Sequence, residues 1–118
     1  MKYLCLIYID EKKLEAIPKS ELDTLMDETS AYNEMLQQSG HLINAAGLKP
    51  AQTATTLRMR KGKVSITDGP FAETKEVLGG FYVIEARDLN EAIQLASKSP
   101  SLRLGSVEVR PIDDLIQP

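Results

Sequence analysis

Residues Tyr3 to Ile9 are apolar at every position. Gly79 to Ala86 nearly repeat the pattern, with Phe81 and Val83 on one face and Tyr82 and Ile84 on the other. Hydrophobicity that runs on without alternating marks a strand buried on both faces. His41 to Leu48, closed by Lys49-Pro50, reads as another strand, and Gly105 to Arg110, ended by Pro111, as the last. Thr53–Arg60 and Lys63–Asp68 behave differently. Around Lys61-Gly62, Leu57, Met59, Val64 and Ile66 alternate with Arg58, Arg60, Lys63 and Ser65, which predicts a hairpin with one wet face near its tip.

Two segments carry the 3.6-residue period of a helix instead. Leu22, Leu25, Met26, Thr29, Tyr32 and Leu36 form one stripe. Ser20 is placed as its N-cap, Glu21 and Asp23 suit the dipole of the first turn, and Gly40 follows its end. Leu89, Ala92, Ile93 and Ala96 make the second stripe, opened by an Asp88/Glu91 capping box and stopped before Pro100. Asp10 to Lys19 is charged, contains Pro18, and reads as a surface loop. The tail "IDDLIQP" shows no period.

The order is strand, helix, strand, hairpin, strand, helix, strand. It fits an α+β, ferredoxin-like βαββαβ unit with an inserted β-hairpin, one domain spanning residues 1–118. Both helices then cover one face of an antiparallel sheet. The strands at Tyr3–Ile9 and Gly79–Ala86 are apolar on the other face too, and no spare helix exists to cover it. A second copy of the sheet is the economical cover, so a homodimer is expected.

Composition adds mainly exclusions. The chain has 118 residues and a net charge of −3. Its basic residues form no long run, which argues against nucleic acid as a partner. One cysteine, Cys5, inside an apolar run, and one histidine, His41, leave no disulfide framework and no metal-type spacing. No cofactor or metal is expected. The apolar run after Lys2 is too short to span a membrane, and acidic residues follow it where a signal peptide would carry its cleavage site, so a cytoplasmic protein is expected.

"DGPFAETKE" at positions 68–76, "GGFYVIEA" at 79–86 and "GSVEVRPI" at 105–112 resemble the DGPF family of YCII-related proteins. The resemblance runs from "YLCLIY" to "EVRP". It implies a ferredoxin-like subunit that pairs into a dimeric α+β barrel. It implies no general reaction. Some members are encoded beside extracytoplasmic-function sigma factors, which implies a regulatory or sensing link as an alternative to an enzyme. Some relatives on the broader YCII branch use a His–Asp pair in a cleft, one of them to remove chloride from a chlorinated aromatic. That pair needs a histidine on the first helix, and Ser20 to Gln38 contains none. The dyad does not carry over.

The residues themselves point to the segment after the hairpin. Gly69-Pro70 ends a strand, because proline offers no N–H to the ladder, and Asp68 is placed to fix the turn by accepting from backbone N–H groups. Asp68, Glu73 and Lys75, placed around one cleft, are candidate acid–base groups, and His41 at the start of the second strand is another. Arg110, alternating with Val109, is a candidate to hold a ligand carboxylate, and Tyr8 a candidate substrate contact. The expected ligand is a small organic molecule in a cleft near the hairpin. No phosphate loop, HExxH or nucleophile elbow is present.

Overall fold

Every strand of the main sheet runs antiparallel to its neighbours. The computed structural model describes residues 1–114. In it β1 (Lys2–Ile9), β2 (Leu42–Gly47), β5 (Val77–Glu85) and β6 (Gly105–Pro111) form one sheet in the order β2-β5-β1-β6. The two βαβ units are therefore interleaved, as the alternation of strands and helices implied. The helices α2 (Lys19–Gln38) and α3 (Leu89–Ala96) share one face of this sheet. β3 (Thr55–Arg60) and β4 (Lys63–Asp68) pair only with each other, as a separate two-stranded ribbon.

The core lies between the helices and one sheet face. Tyr3, Cys5 and Ile7 of β1 and Tyr82 and Ile84 of β5 meet Tyr32 and Leu36 of α2 and Ala92, Leu95 and Ala96 of α3. Tyr32 and Tyr82 stack edge to face, centroids 5.5 Å apart. The Tyr32 hydroxyl donates to the Leu95 carbonyl at 2.8 Å, tying one helix to the other, and the Tyr82 hydroxyl donates to Asn33 Oδ1 at 2.6 Å. Each phenol buried here thus keeps a partner for its polar end, which removes most of the cost of burying it.

Register assigns the opposite face. Cα partners share a face, so Leu4 with Val83 and Arg110, and Leu6 with Phe81 and Glu108, look away from the helices. Leu4, Leu6, Phe81 and Val83 are only half-buried there. The molecule is accordingly a thin slab, 48 × 43 × 19 Å, with a radius of gyration of 16.1 Å. A compact globule of this length would have a radius of about 13–14 Å.

Several local expectations change. The segment after β1 is no loop: Glu11–Ala16 forms a short helix, α1. Asp10 caps it, its Oδ1 accepting from the Lys12 and Lys13 N–H groups at 3.0 and 3.3 Å, a role that charge and Pro18 masked. Ser20 is not a cap, because α2 already begins at Lys19 behind Pro18. Gly40 does close α2: the His41 N–H donates to the Leu36 carbonyl and the Gly40 N–H to that of Gln37, a Schellman motif. Met26, Leu89 and Ile93 belong to stripes that periodicity predicts to be buried, yet they are 58%, 49% and 48% exposed. Leu95 takes the inward place on α3. Asp88 caps that helix as expected, accepting from the Glu91 N–H at 2.9 Å. The last residues of "IDDLIQP", 115–118, lie outside the described residues.

Two predictions come from this packing. A Cβ on Gly105 would sit 2.0 Å from the Tyr8 carbonyl oxygen, a clash with backbone that no rotamer relieves. Gly105→Ala should therefore lower stability in denaturant melts by about 1–3 kcal/mol, the usual cost of overpacking. Burial also pushes the Cys5 thiol up to about 11. Burial lifts the phenols of Tyr32 and Tyr82 as well, Tyr32 further through the nearby Cys5 and Tyr82. These acids ionise more readily in the unfolded chain, so the native state holds the protons longer. These three groups should leave stability unaffected by pH below about 9 and lower it steadily as the pH rises above that, the thiol's share being lost between 9 and about 11. Urea melts across that window measure it.

Candidate functional site

The DGPF turn lies where β4 leaves the ribbon. Gly69 has φ +121°, a backbone conformation that side-chain-bearing residues rarely adopt. Its N–H donates to the Ala54 carbonyl at 2.7 Å, while the Thr56 hydroxyl donates to the Gly69 carbonyl at 2.8 Å. Arg58 donates to the Phe71 carbonyl at 2.8 Å and lies over its ring, 5.6 Å from the centroid. The ribbon therefore holds the turn through Thr56 and Arg58. Asp68 was expected to do so, yet its side chain is exposed and makes no hydrogen bond among the described residues.

Beside this turn lies a cleft of about 630 Å³. One wall is the segment 48–56, which includes a short 3₁₀ turn at Ala51–Thr53. The other is Pro70–Ala72 with Thr74 and Glu76–Leu78, and Tyr8 closes the floor from β1. Glu11 of α1 accepts from the Ala51 N–H at 3.1 Å and so pins the first wall. The lining is mostly apolar, with threonine hydroxyls, the exposed Lys49 and the half-buried Glu76.

A β-bulge explains why Glu76 is there. β1 and β5 pair Ile7 with Gly80 but Tyr8 with Leu78, so Gly79 is an extra residue in β5. The insertion reverses the alternation beyond it. Leu78 and Glu76 then share the face of Tyr8, away from the helices. Ser106 pairs with Tyr8 on that same face, and its hydroxyl donates to Glu76 Oε1 at 2.7 Å. The Tyr8 hydroxyl makes a long bond, 3.4 Å, to Glu108 Oε1. Thr74 donates to the Glu76 carbonyl at 2.6 Å and fixes the loop just before β5.

Tyr8 is the one site residue named from the sequence that lines this cleft. Asp68, Glu73 and Lys75 are exposed and outside its lining, and Glu73 and Lys75 have no hydrogen-bond or ion-pair partner among the described residues. His41 lies at the far end of β2, its Nδ1 2.7 Å from the Glu85 carbonyl, which makes that nitrogen the proton-bearing one. Some 20 Å of extended chain separates it from Leu48 at the cleft. Arg110 is two places beyond Glu108 on β6, with its Nε 4.0 Å from the Glu108 carboxylate. Glu76, Ser106 and the Thr53–Thr56 run were not singled out from the sequence. The available signal was the Gly79-Gly80 pair inside a strand, which is a bulge signature.

Further depressions are present, one of about 250 Å³ between α3 and β6 among them. One of about 570 Å³ lies between α1, α2 and the turn before β6, crossed by the Arg103–Glu28 ion pair at 2.8 Å. Another of about 330 Å³ lies between α2 and the glycine-rich ends of β2 and β5. Among the described residues no group of three acidic, histidine or cysteine side chains is disposed to hold a metal ion, and no helix is long and apolar enough to cross a membrane.

Among solved structures, the chain is similar to the 5-chloro-2-hydroxyhydroquinone dehydrochlorinase of Burkholderia phenoliruptrix AC1100, in complex with 2,5-dihydroxybenzoquinone. The identity is 16%, with 96% of this chain and 94% of that one covered and a TM-score of 0.49. That likeness is too slight to carry chemistry across. A much nearer relative is an uncharacterized protein of Rhizobium meliloti (strain 1021), 41% identical over an alignment of 116 positions that covers 95% of this chain and 92% of that protein. Residues 1–116 match the family model of the YCII-related domain, and with that coverage the chain belongs to the YCII-related family.

Proposed function

We propose that the chain works as a homodimer, paired through the helix-free sheet face into an α+β barrel, and binds a small organic molecule in the cleft beside the DGPF turn. The observation that carries the binding reading is the composition of that cleft. Glu76, a half-buried acid, and Tyr8 line a mostly apolar space of about 630 Å³. That size and that balance of a few polar groups among apolar ones are usual for small-molecule sites. The dimer is supported by Leu4, Leu6, Phe81 and Val83, an apolar centre flanked on β6 by the exposed Ser106, Glu108 and Arg110. An apolar middle with a polar rim is the usual plan of a protein interface.

The chemistry of the lining selects the ligand. Glu76 accepts hydrogen bonds, and a partly buried acceptor outweighs an exposed cation such as Lys49, which water and salt screen. The ligand is therefore a mainly apolar molecule that presents a hydroxyl or amine to Glu76, with Tyr8 as the second polar contact. Asp68, Glu73 and Lys75 then belong to the outer surface of the loop, with any acid–base role resting on Glu76.

The test is binding of phenol, benzylamine and benzoate followed by amide NMR shifts. Phenol and benzylamine should shift residues 53–56 and 71–78, and benzoate should not. Glu76→Gln should weaken the amine by about 10- to 100-fold, the worth of a charged hydrogen bond. Shifts confined to the groove between α1 and α2, or indifference to Glu76→Gln, would refute the assignment.

A further inference from the structure

We propose that the β3–β4 ribbon is an arm whose apolar face docks on a second copy of this chain. The proposal rests on the dimer reading above and adds a second contact to it. Register places Leu57 opposite Ile66 and Met59 opposite Val64, so all four side chains share one face of the ribbon. They are 62%, 68%, 69% and 57% exposed, respectively. An isolated two-stranded ribbon is marginally stable in water, and a bare apolar face of this kind marks an interaction surface.

Charge identifies the occupant. The ribbon holds four of the chain's 14 basic residues (Arg58, Arg60, Lys61 and Lys63) and one of its 17 acidic ones, Asp68. It therefore carries +3, and the remaining chain carries −6. The side chains of Arg60, Lys61 and Lys63 have no ion-pair or hydrogen-bond partner among the described residues. Those side chains lie on the face opposite the docked one or at the tip, so charge acts at longer range, steering the basic arm onto an acidic body of the same sequence, and the two-fold relation repeats the attraction. Nucleic acid fits less well. It would engage the cations but leave the opposite, apolar face of the ribbon bare.

The arm also bears on the cleft. Thr56 and Arg58 at its base hold the Gly69–Phe71 wall, so a docked arm fixes that wall. The second copy thereby helps to shape each ligand site.

The experiment compares the wild type with the double variant Leu57→Asp, Ile66→Asp by sedimentation equilibrium. The dimer Kd should rise at least ~100-fold, because the variant sets carboxylates into an apolar contact. The helical signal in far-ultraviolet circular dichroism should be kept, since the ribbon contributes nothing to the buried core. Carbodiimide cross-linking of wild type mixed from ¹⁴N and ¹⁵N protein provides a second readout that needs no variant. Lys61 or Lys63 should join carboxylates of the other isotope. A wild-type dimer whose Kd the double variant leaves unchanged, or cross-links only within one isotope, overturns the arm and leaves the sheet-face dimer standing. A wild-type monomer at micromolar concentration overturns both. Salt-sensitive binding of a labelled DNA duplex by wild type, lost in Lys61→Ala, Lys63→Ala, overturns the arm in favour of nucleic acid.

Discussion

A sheet whose central strands are apolar on both faces can be covered by two helices on one face only. That constraint organises the molecule. Tyr3, Cys5 and Ile7 bury themselves against α2 and α3, while Leu4 and Leu6, the residues between them, look the other way. Each half-buried aliphatic side chain left facing water forgoes part of the roughly 1.5–3 kcal/mol that full burial contributes. The slab shape, 19 Å in its thinnest dimension, is the same deficit expressed as geometry. A second copy is the cover we propose.

The cleft follows from small irregularities at one end of that sheet. The bulge at Gly79 turns Leu78 and Glu76 toward the face of Tyr8, and Gly105 lets β6 approach the Tyr8 backbone closely enough to bring Ser106 to Glu76. Asp10 starts α1, and α1 in turn supplies Glu11, which holds the Ala51 wall. Thr56 and Arg58 hold the opposite wall from the ribbon. None of these residues belongs to the large hydrophobic core. Asp10, Glu11, Thr56 and Arg58 support the cleft because each satisfies a backbone group that would otherwise be free to move, which is the support a binding site needs.

Much of the fold was legible in the sequence, because periodicity reports burial directly. The two-faced strands, the α2 stripe and the Lys61-Gly62 hairpin all come from patterns that repeat over many residues. The short helix after β1 escaped because six residues are too few for a stripe, and α1 buries none. The site was less legible for a related reason. The DGPF motif marked a loop that lines the cleft, but parity across β5 decides which of its charged residues faces inward, and one inserted glycine reverses that parity. Counting outward without the bulge leaves Glu76 off the face of Tyr8. Residue type alone points to Asp68 as the anchor, whereas the ribbon's Thr56 and Arg58, distant in sequence terms, hold the turn. His41 and Arg110 carried suggestive chemistry, and only strand register shows how far along the sheet each lies from the cleft.

The central claim is that the sheet face without helices is covered by another copy. Relaxation of methyl protons by a soluble gadolinium chelate measures this directly, since the chelate reaches only methyl groups open to solvent. The methyls of Leu6 and Val83 should be shielded as well as those of Ile7 on the helix-covered face, and far better than those of Leu89, which is 49% exposed on α3. Relaxation of Leu6 and Val83 as fast as that of Leu89, at concentrations well above micromolar, would contradict the account.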